Sequence, residues 1–380
     1  MNAPIFGTSD ARFTRVKEAF TELWQGPEVG ASLCIFLEGK KVVDLWGGWQ
    51  DRARTRDWTP DTLVNIYSTT KGIVALALAK LVNEDLLAYD EVVGRYWPEF
   101  NQNGKAGITV GQLLSHQAGL CAFDQPLAVT DLYHWQSRVE RLAAAAPKWP
   151  PGSAAGYHSI TWGFLAGELI RRVTGELPGH YLRKHLSEPH KADCHIGLSA
   201  RAQAQCADLI GPNHAVGATP ATPSGIKKSR TPLVTLTQDN PRIRPFADAC
   251  SADWRRAEIP ASNGHASARG LATLYQAALS QHAQFVRTDT LQTAITTAVE
   301  DKTDLILQTK IKRSQGGFIL NEGAGYGPDP RAFGHNGTGG SSAFAALSPQ
   351  VAFAYVPNQM LPEGLTPRAP RLADLFYDCL

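Results

Sequence analysis

The sequence predicts a mixed α/β fold (α+β) in which one antiparallel sheet is built from both ends of the chain and flanked by helices, with an all-helical lobe inserted between them. Candidate strands surround a turn near the amino terminus, others follow near the carboxyl terminus, and the middle third shows apolar residues at helical spacing. We therefore expect an α/β lobe from residues 1–84 and 216–380, a mainly helical lobe from residues 85–215, and an active site in the cleft between them.

The amino-terminal part contains a helix, a strand hairpin and a second helix. Apolar residues recur every three or four positions over residues 10–26, which predicts an amphipathic helix. Residues 31–37 and 41–46 predict two paired strands around a Glu-Gly-Lys turn. Residues 73–82 are almost all apolar, which predicts a buried helix shortly after Ser68.

The remainder of the chain continues with helices and then strands. Helical spacing and end signals predict further helices over residues 109–116, 127–146, 161–174, 266–281 and 371–379. Apolar runs predict strands over residues 316–320, 343–347 and 351–356. Between residues 211 and 246 the chain is rich in Pro, Thr, Ser and Gly, which predicts a long surface loop; a lid over a functional site is the alternative.

Composition excludes several classes of protein. The 380 residues include 37 Lys and Arg against 35 Asp and Glu, and this net charge of +2 gives no support for binding nucleic acid or an anionic membrane. The six cysteines form no C-x-x-C pair, so neither a disulfide framework nor a zinc site is predicted. Asp10, Arg12, Arg15 and Lys17 interrupt the stretch of residues 1–17 and no apolar run could span a bilayer, so we expect a cytoplasmic protein.

Four histidines recur at intervals of five residues and suggest a metal site at first sight: His180, His185, His190 and His195. On a helix, each interval of five residues turns the side chain by about 140°. Pro189 also interrupts the series. The four side chains therefore do not converge, and no metal ion or other cofactor is predicted.

Ser68 and Lys71 form an S-x-x-K pattern just before the helix predicted over residues 73–82. Three residues apart on a helix, the two side chains lie on one face. A desolvated amine could stay neutral and take the proton of the serine, and free N–H groups at the helix start suit an oxyanion. The alternative is a capped helix with an exposed lysine. The same spacing at Ser224 and Lys227 lies in a Pro- and Thr-rich stretch and predicts a loop.

Two further stretches combine reactive side chains with glycine. Gly156-Tyr157-His158-Ser159 follows a Pro-rich turn and precedes a helix. Gly334-His335-Asn336-Gly337-Thr338-Gly339-Gly340-Ser341 precedes a strand, and its glycines allow a ligand to approach the backbone closely. The order S-x-x-K, Y-x-S, H-x-G resembles the serine β-lactamase and penicillin-binding-protein superfamily, and within it the family VIII carboxylesterases and their class C β-lactamase-like relatives.

This resemblance implies a β-lactamase/DD-peptidase-like fold and a role for each matching residue. Ser68 would be the nucleophile that accepts the acyl group, and Lys71 and Tyr157 would handle the proton, with the choice of base between them open. The backbone N–H groups of Ser68 and Thr338 would form the oxyanion hole. Four further residues would contact the substrate: Ser159, His335, Asn336 and Gly337.

His335 stands where β-lactamases carry the lysine of their K-T-G motif. A lysine offers a fixed charge to a substrate carboxylate, whereas a histidine is largely neutral near pH 7. We therefore predict a serine hydrolase of short-chain carboxylic esters, with a small-molecule ester as its partner and the oligomeric state open. Hydrolysis of amides such as β-lactams or D-amino-acid peptides is the second hypothesis, and an acylating sensor domain is the third. His116 is predicted to have a structural role at a helix end.

Overall fold

The computed structural model describes residues 3–211, 230–280, 285–361 and 367–380. The strands are β1 (Ile5–Ser9), β2 (Gly30–Leu37), β3 (Lys40–Gly48), β4 (Val64–Asn65), β5 (Cys194–Ile196), β6 (Gly264–Ala266), β7 (Thr297–Val299), β8 (Arg313–Ser314), β9 (Ile319–Leu320), β10 (Phe333–Asn336), β11 (Ser342–Leu347) and β12 (Gln350–Pro357). The helices are α1 (Thr14–Glu22), α2 (Thr69–Asn83), α3 (Val93–Tyr96), α4 (Val110–Leu114), α5 (Trp135–Ala144), α6 (Thr161–Thr174), α7 (Pro178–Leu182), α8 (Glu188–His190), α9 (Ala200–Gln203), α10 (Pro232–Asp239), α11 (Ala252–Arg256), α12 (Ala268–Leu279), α13 (Thr288–Ala294) and α14 (Arg368–Tyr377).

A nine-stranded antiparallel sheet joins the two ends of the chain. Its strand order is β1-β3-β2-β12-β11-β10-β9-β8-β7, so the amino-terminal hairpin pairs directly with a carboxyl-terminal strand. The contact runs along the full length of β2 and β12, with Cys34 opposite Ala354. The predicted fold class is therefore confirmed: a mixed fold with a large antiparallel sheet built from both chain ends.

Both faces of this sheet are covered because side chains alternate along each strand. Leu33 and Ile35 of β2 pack in one cluster with residues of α1 and α14, where Phe13 and Phe376 stack with ring centroids 4.9 Å apart. Cys34, between them in sequence, packs in the larger cluster on the opposite face, which includes residues of α2 and α12. The near-continuous apolar character of the central strands follows from this two-sided burial.

Helix α2 lies inside the larger cluster and is buried on all sides. Its residues from Thr69 to Ala79 are buried without exception, and it contacts β10 and α6. Alanine and leucine dominate the sequence, which gives good helix propensity and leaves no polar face to turn toward water. A helix held in this way fixes the position of the residue at its amino-terminal end, Ser68.

The glycine-rich stretch expected to form a turn before a strand is partly a strand itself. His335 and Asn336 belong to β10, in which His335 pairs with Ala343 of β11. The turn is confined to residues 337–341. Neighbouring strands on both sides, β9 and β11, stabilise this register despite the glycines, which local sequence reasoning could not anticipate.

Two other segments depart from the expected pattern. The stretch predicted as a loop over residues 211–246 contains α10, whose first turn is capped by the Thr231 side chain; residues 212–229 lie outside the described residues. The segment expected to be all helical contains β5, which pairs with β6 in a three-stranded sheet with β4. The partner of β5 is distant in sequence, so no local pattern marks it. The lobe boundaries remain a prediction.

No helix within the described ranges is long and apolar enough to cross a membrane.

Candidate active site

Ser68 occupies the N-cap position of α2, and its side chain makes no capping hydrogen bond. The preceding residue, Tyr67, has a left-handed backbone with φ of +43°, a conformation that costs energy for a residue of this size. The Tyr67 hydroxyl donates to the Pro245 carbonyl at 2.8 Å, which holds this turn in place. The Ser68 hydroxyl is thus presented at the helix end, available to other groups.

Lys71 is buried completely, so the alternative of an exposed lysine is wrong. Its Nζ donates to the carbonyls of Ser159 at 2.9 Å and Ala261 at 3.1 Å, and lies 3.4 Å from Ser68 Oγ. Burial lowers the pKa of Lys71 well below its ordinary value, and the positive charge of Arg313 acts in the same direction. A neutral amine at hydrogen-bond reach of a serine can accept its proton.

Tyr157 lies in an irregular segment and reaches the same hydroxyl from the other side. Its Oη is 2.8 Å from Ser68 Oγ, and its ring centroid is 4.8 Å from Lys71 Nζ. The backbone N–H of Tyr157 donates to Asp304 Oδ1 at 3.0 Å. The structure therefore brings together the three residues predicted to be catalytic. Lys71 and Tyr157 both lie within hydrogen-bond reach of the Ser68 hydroxyl.

The turn between β10 and β11 packs directly on the start of α2. Thr69 Oγ1 lies 2.9 Å from Ser341 Oγ, which donates to the Ile66 carbonyl at 2.9 Å. A Cβ atom on Gly337 would come within 2.2 Å of the same carbonyl, so only glycine permits this approach. Within the described part of the chain, the backbone N–H groups of Ser68 and Thr338 donate to no backbone carbonyl. Both groups are free to bind an oxyanion, and their role stays a prediction.

His335 faces the site and is buried. Its ring centroid lies 6.3 Å from that of Tyr157, and its Nδ1 is 2.8 Å from the Asn336 carbonyl. Burial, assisted by the charge of Lys71, lowers the pKa of His335 to about 3. The imidazole is therefore neutral at any ordinary working pH, as the sequence predicts.

Two predicted substrate contacts are arranged differently from the expectation. Asn336 follows His335 on the strand and so turns its side chain to the other face, where it donates to Ala324 O at 3.0 Å and accepts from Ser342 Oγ at 2.7 Å. Ser159 meets Lys71 through its carbonyl oxygen. The side chain of Asn336 is thus not among the groups that the structure brings together at Ser68.

Sequence reasoning missed two charged residues behind Tyr157, and no motif marks either of them. Asp304 and Arg313 are buried side by side, with 2.8 Å between Oδ2 and Nη1. His116, predicted as structural, lies behind the same tyrosine with ring centroids 4.9 Å apart, and its Nδ1 accepts the His158 N–H at 3.0 Å. Burial lowers the pKa of His116 well below its usual value, which supports a neutral, structural side chain.

Metal ligands are a separate question. Within residues 3–211, 230–280, 285–361 and 367–380, no group of three or more His, Cys, Asp or Glu side chains is arranged to hold a metal ion. Two of the histidines spaced by five residues, His180 and His185, contact Glu176 instead.

Comparison with known proteins identifies the family of this chain. The model of the Beta-lactamase family matches residues 16–377. Over 366 residues, 94% of this chain and 83% of the relative, the sequence is 33% identical to Esterase/beta-lactamase LipL of Mycobacterium tuberculosis (strain ATCC 25618 / H37Rv). A crystal structure of a family VIII carboxylesterase shares 35% identity with a TM-score of 0.90, covering 99% of this chain and 100% of that one.

A second solved structure gives the same result. A penicillin-binding-protein homolog from Caulobacter crescentus is 38% identical with a TM-score of 0.88, again covering 99% of this chain and 100% of that one. These comparisons confirm the resemblance predicted from the three motifs. The chain therefore belongs to the Beta-lactamase family.

Proposed function

We propose that this protein is a carboxylesterase, a serine hydrolase that cleaves short-chain carboxylic esters through an acyl-enzyme on Ser68. The observation that carries this proposal is the position of the Ser68 hydroxyl, 2.8 Å from Tyr157 Oη and 3.4 Å from the buried amine of Lys71. The esterase names of LipL and of the family VIII carboxylesterase support the same reaction.

The reaction follows from the chemistry of these groups. Ser68 Oγ attacks the ester carbonyl while the Lys71–Tyr157 pair takes its proton. The resulting oxyanion accepts hydrogen bonds from the backbone N–H groups of Ser68 and Thr338, and the pair returns the proton to the leaving alcohol as the C–O bond breaks. Water then attacks the acyl-enzyme and gives a proton to the same pair. The C–O bond to Ser68 breaks, the pair returns this proton to Ser68 Oγ, and the carboxylic acid leaves.

The preference for uncharged esters rests on His335. This neutral imidazole occupies the position at which β-lactamases carry a lysine, so the site lacks a fixed charge there for a substrate carboxylate. Ser159 and Gly337 border the nucleophile through main-chain positions, the first by its contact with Lys71 and the second by its approach to Ile66. A small neutral ester needs no charged side chain at either of these two positions.

Hydrolysis of amides by the same site is the second candidate. One relative favours it by name, the esterase/beta-lactamase LipL. Comparing kcat/KM for an aryl acetate and a chromogenic cephalosporin separates the two functions. We expect the acetate to be turned over much faster, and a cephalosporin rate equal to the ester rate would reverse the order of the two proposals. A product burst equal to the enzyme, without steady turnover, would indicate an acylating sensor.

The proposed setting of the reaction is a cytoplasmic protein with a small-molecule partner and no nucleic acid. The balanced charge of the chain supports this part of the proposal. The substrate would enter a cleft between the α/β lobe of residues 1–84 and 216–380 and the helical lobe of residues 85–215. The contact between Lys71 and the Ser159 carbonyl supports this cleft, since the two residues belong to different predicted lobes.

The direct test is the intact mass of the protein after brief incubation with aryl esters of increasing acyl length. We expect a transient mass gain equal to one acyl group, largest for the short acyl chains. Proteolysis should place the modification on the peptide that contains Ser68. The matched control is Ser68→Ala, which should gain no mass with any ester. A protein that hydrolyses the esters while its acyl group lies on another residue would contradict the assignment.

A further inference from the structure

A buried acidic residue and a buried basic residue, Asp304 and Arg313, lie next to Tyr157. Asp304 and Arg313 have side chains that are 1% and 3% exposed, and the two charges are 2.8 Å apart. Among the described residues, no hydrogen bond or ion pair joins either of them to Ser68, and the reaction described above does not use them. Burying two charges is costly, so their place next to the proton-handling pair calls for an explanation.

Asp304 holds the main chain of the segment that carries Tyr157. One oxygen, Oδ1, accepts three backbone N–H groups, from Tyr157 at 3.0 Å, Ile306 at 2.9 Å and Leu307 at 2.8 Å. The backbone N–H of Leu305 donates in turn to the Ala155 carbonyl at 2.9 Å. Asp304 therefore ties two chain segments together at the tyrosine.

The guanidinium of Arg313 is buried, and its contact with Asp304 is an ion pair without a hydrogen bond. Although its Nη1 is at ion-pair distance from Asp304 Oδ2, the geometry is not that of a hydrogen bond, and none of its nitrogens makes one within the described residues. At this short distance the two charges still attract each other strongly, since Coulomb attraction does not require a linear N–H bond. The Arg313 Cζ lies 5.7 Å from the Tyr157 ring centroid. A guanidinium stays charged at any working pH.

The other titratable groups around the pair contribute little charge. Burial lowers the pKa of each of the three histidines, to about 4 for His158, to about 3 for His335 and well below the usual range for His116. Tyr326 is also near Tyr157, and burial raises its pKa well above the usual value. These side chains are neutral near pH 7, so Arg313 and Asp304 are the fixed charges that the Lys71–Tyr157 pair experiences in the described structure.

We propose that Asp304 and Arg313 are positioning residues for the Lys71–Tyr157 pair: Asp304 fixes the tyrosine, and the charge of Arg313 favours the form of the pair that has lost its proton. A cation near the two groups opposes an ammonium on Lys71 and stabilises a phenolate on Tyr157, so it acts in the same direction whichever of them is the base. This inference rests on the proposed function, since it assumes that the pair activates Ser68.

The test is the pH profile of kcat/KM for an aryl acetate. Its acid limb reports the pKa of the base in the free enzyme. Arg313→Met removes the cation and leaves the carboxylate, so the limb should move to higher pH by roughly one unit. Asp304→Asn keeps an oxygen for the three N–H groups and leaves the cation uncompensated, so its limb should move to lower pH. Arg313→Lys should return the limb toward that of the wild type.

Shifts in opposite directions distinguish electrostatic positioning from mere support of the fold. A structural role alone would lower activity in both variants without moving either limb, and that result would overturn the proposal. So would an Arg313→Met variant that loses activity only on esters bearing a carboxylate, because Arg313 would then bind substrate. If Arg313→Met does not fold, Asp304→Asn still gives the sign of the shift. Arg269→Met is the matched control, since the recorded contacts of Arg269 are with Asp44, Asp61 and Trp46.

A second readout separates this inference from the proposed function. The rate at which a fluorophosphonate probe labels Ser68 can be measured against pH in the same variants, because labelling needs an activated serine and no ester substrate. If the acid limb of the labelling rate shifts as predicted but the protein hydrolyses no ester, the positioning role is retained and the proposed substrate class is rejected. If the wild type hydrolyses esters but the acid limb stays at the same pH in all variants, the esterase function is retained and the proposed role of Arg313 is rejected.

Discussion

Two buried arginines in different regions of the molecule share one arrangement of groups and differ in where the neighbouring tyrosine points. Arg313 pairs with Asp304, and Arg368 at the start of α14 pairs with Glu28 at 2.5 Å. Each guanidinium carbon lies 5.7 Å from the centroid of a tyrosine ring, Tyr157 in the first case and Tyr355 in the second. Tyr355 donates its hydroxyl to Glu28 at 2.5 Å, whereas Tyr157 directs its hydroxyl at Ser68.

The hydrogen bonds of the two arginines show what this difference means. Arg368 donates to Glu28, to the Gly339 carbonyl at 2.8 Å and to the Gln359 carbonyl at 2.9 Å, so it links α14 to the turn that follows β10. Arg313 makes no hydrogen bond among the described residues. A buried arginine that makes several hydrogen bonds stabilises the structure around it, while a buried arginine without hydrogen bonds beside a catalytic group acts mainly through its field.

The comparison between the two arginines first requires that Ser68 is the nucleophile that Tyr157 helps to activate. Ser68→Ala should abolish ester hydrolysis, with a loss of about a thousandfold or more in kcat, as for other serine enzymes that lose their nucleophile. The fold should survive, because α2 is held by its apolar residues. Steady-state kinetics and a melting curve check both points. Ser224→Ala, at the other S-x-x-K match, should be nearly silent, and residual activity within about tenfold of wild type in Ser68→Ala would end the comparison.

The two tyrosines should respond differently to the same substitution. Tyr157→Phe removes the hydroxyl that reaches Ser68 and should cost nearly as much as Lys71→Ala or as both changes together, because groups on one proton path fail as a unit. Tyr355→Phe leaves the site intact and should lower the melting temperature while kcat stays within about tenfold of wild type. Additive free energies in the Lys71 and Tyr157 double variant, or equal kinetic losses in the two phenylalanine variants, would contradict this view.

The catalytic residues of this site could be predicted from local sequence, but the buried charged residues around them could not. Ser68, Lys71 and Tyr157 lie in short motifs whose spacing reflects chemistry, so pattern and resemblance identify them. Asp304 and Arg313 occur in a segment without a motif, and only the fold brings them to Tyr157. The short strands β4, β5 and β6 were missed for the same reason, because their pairing is set by residues far apart in the chain.

Arg368→Met should sharpen the contrast between the two arginines. It removes a buried partner of Glu28 and the donor to Gly339, so the free energy of unfolding should fall by roughly 3 to 5 kcal/mol. The turn that carries Thr338 would be less well held, and we expect kcat to fall by about tenfold through loss of oxyanion contacts. The acid limb of the pH profile should stay where it is, in contrast to Arg313→Met. Urea unfolding and a pH profile measure these effects, and a shifted limb would show that both pairs act electrostatically.

The smallest effect is expected at His335, and it decides whether a histidine contributes to the acid limb. The pKa of His335 is lowered from 6.5 to about 3, so the folded protein resists protonation of this side chain while the unfolded chain accepts a proton. Stability that depends on neutral His335 is therefore present above about pH 6.5 and decreases as the pH falls toward 3. His335→Gln keeps a neutral polar side chain and removes this proton uptake, so the free energy of unfolding should fall less steeply over that interval. Activity on a neutral ester should change by less than about threefold and the acid limb should not move, since the limb belongs to Lys71 and Tyr157. A limb that disappears in His335→Gln would assign it to the histidine and remove the reason for placing the charge of Arg313 in the mechanism.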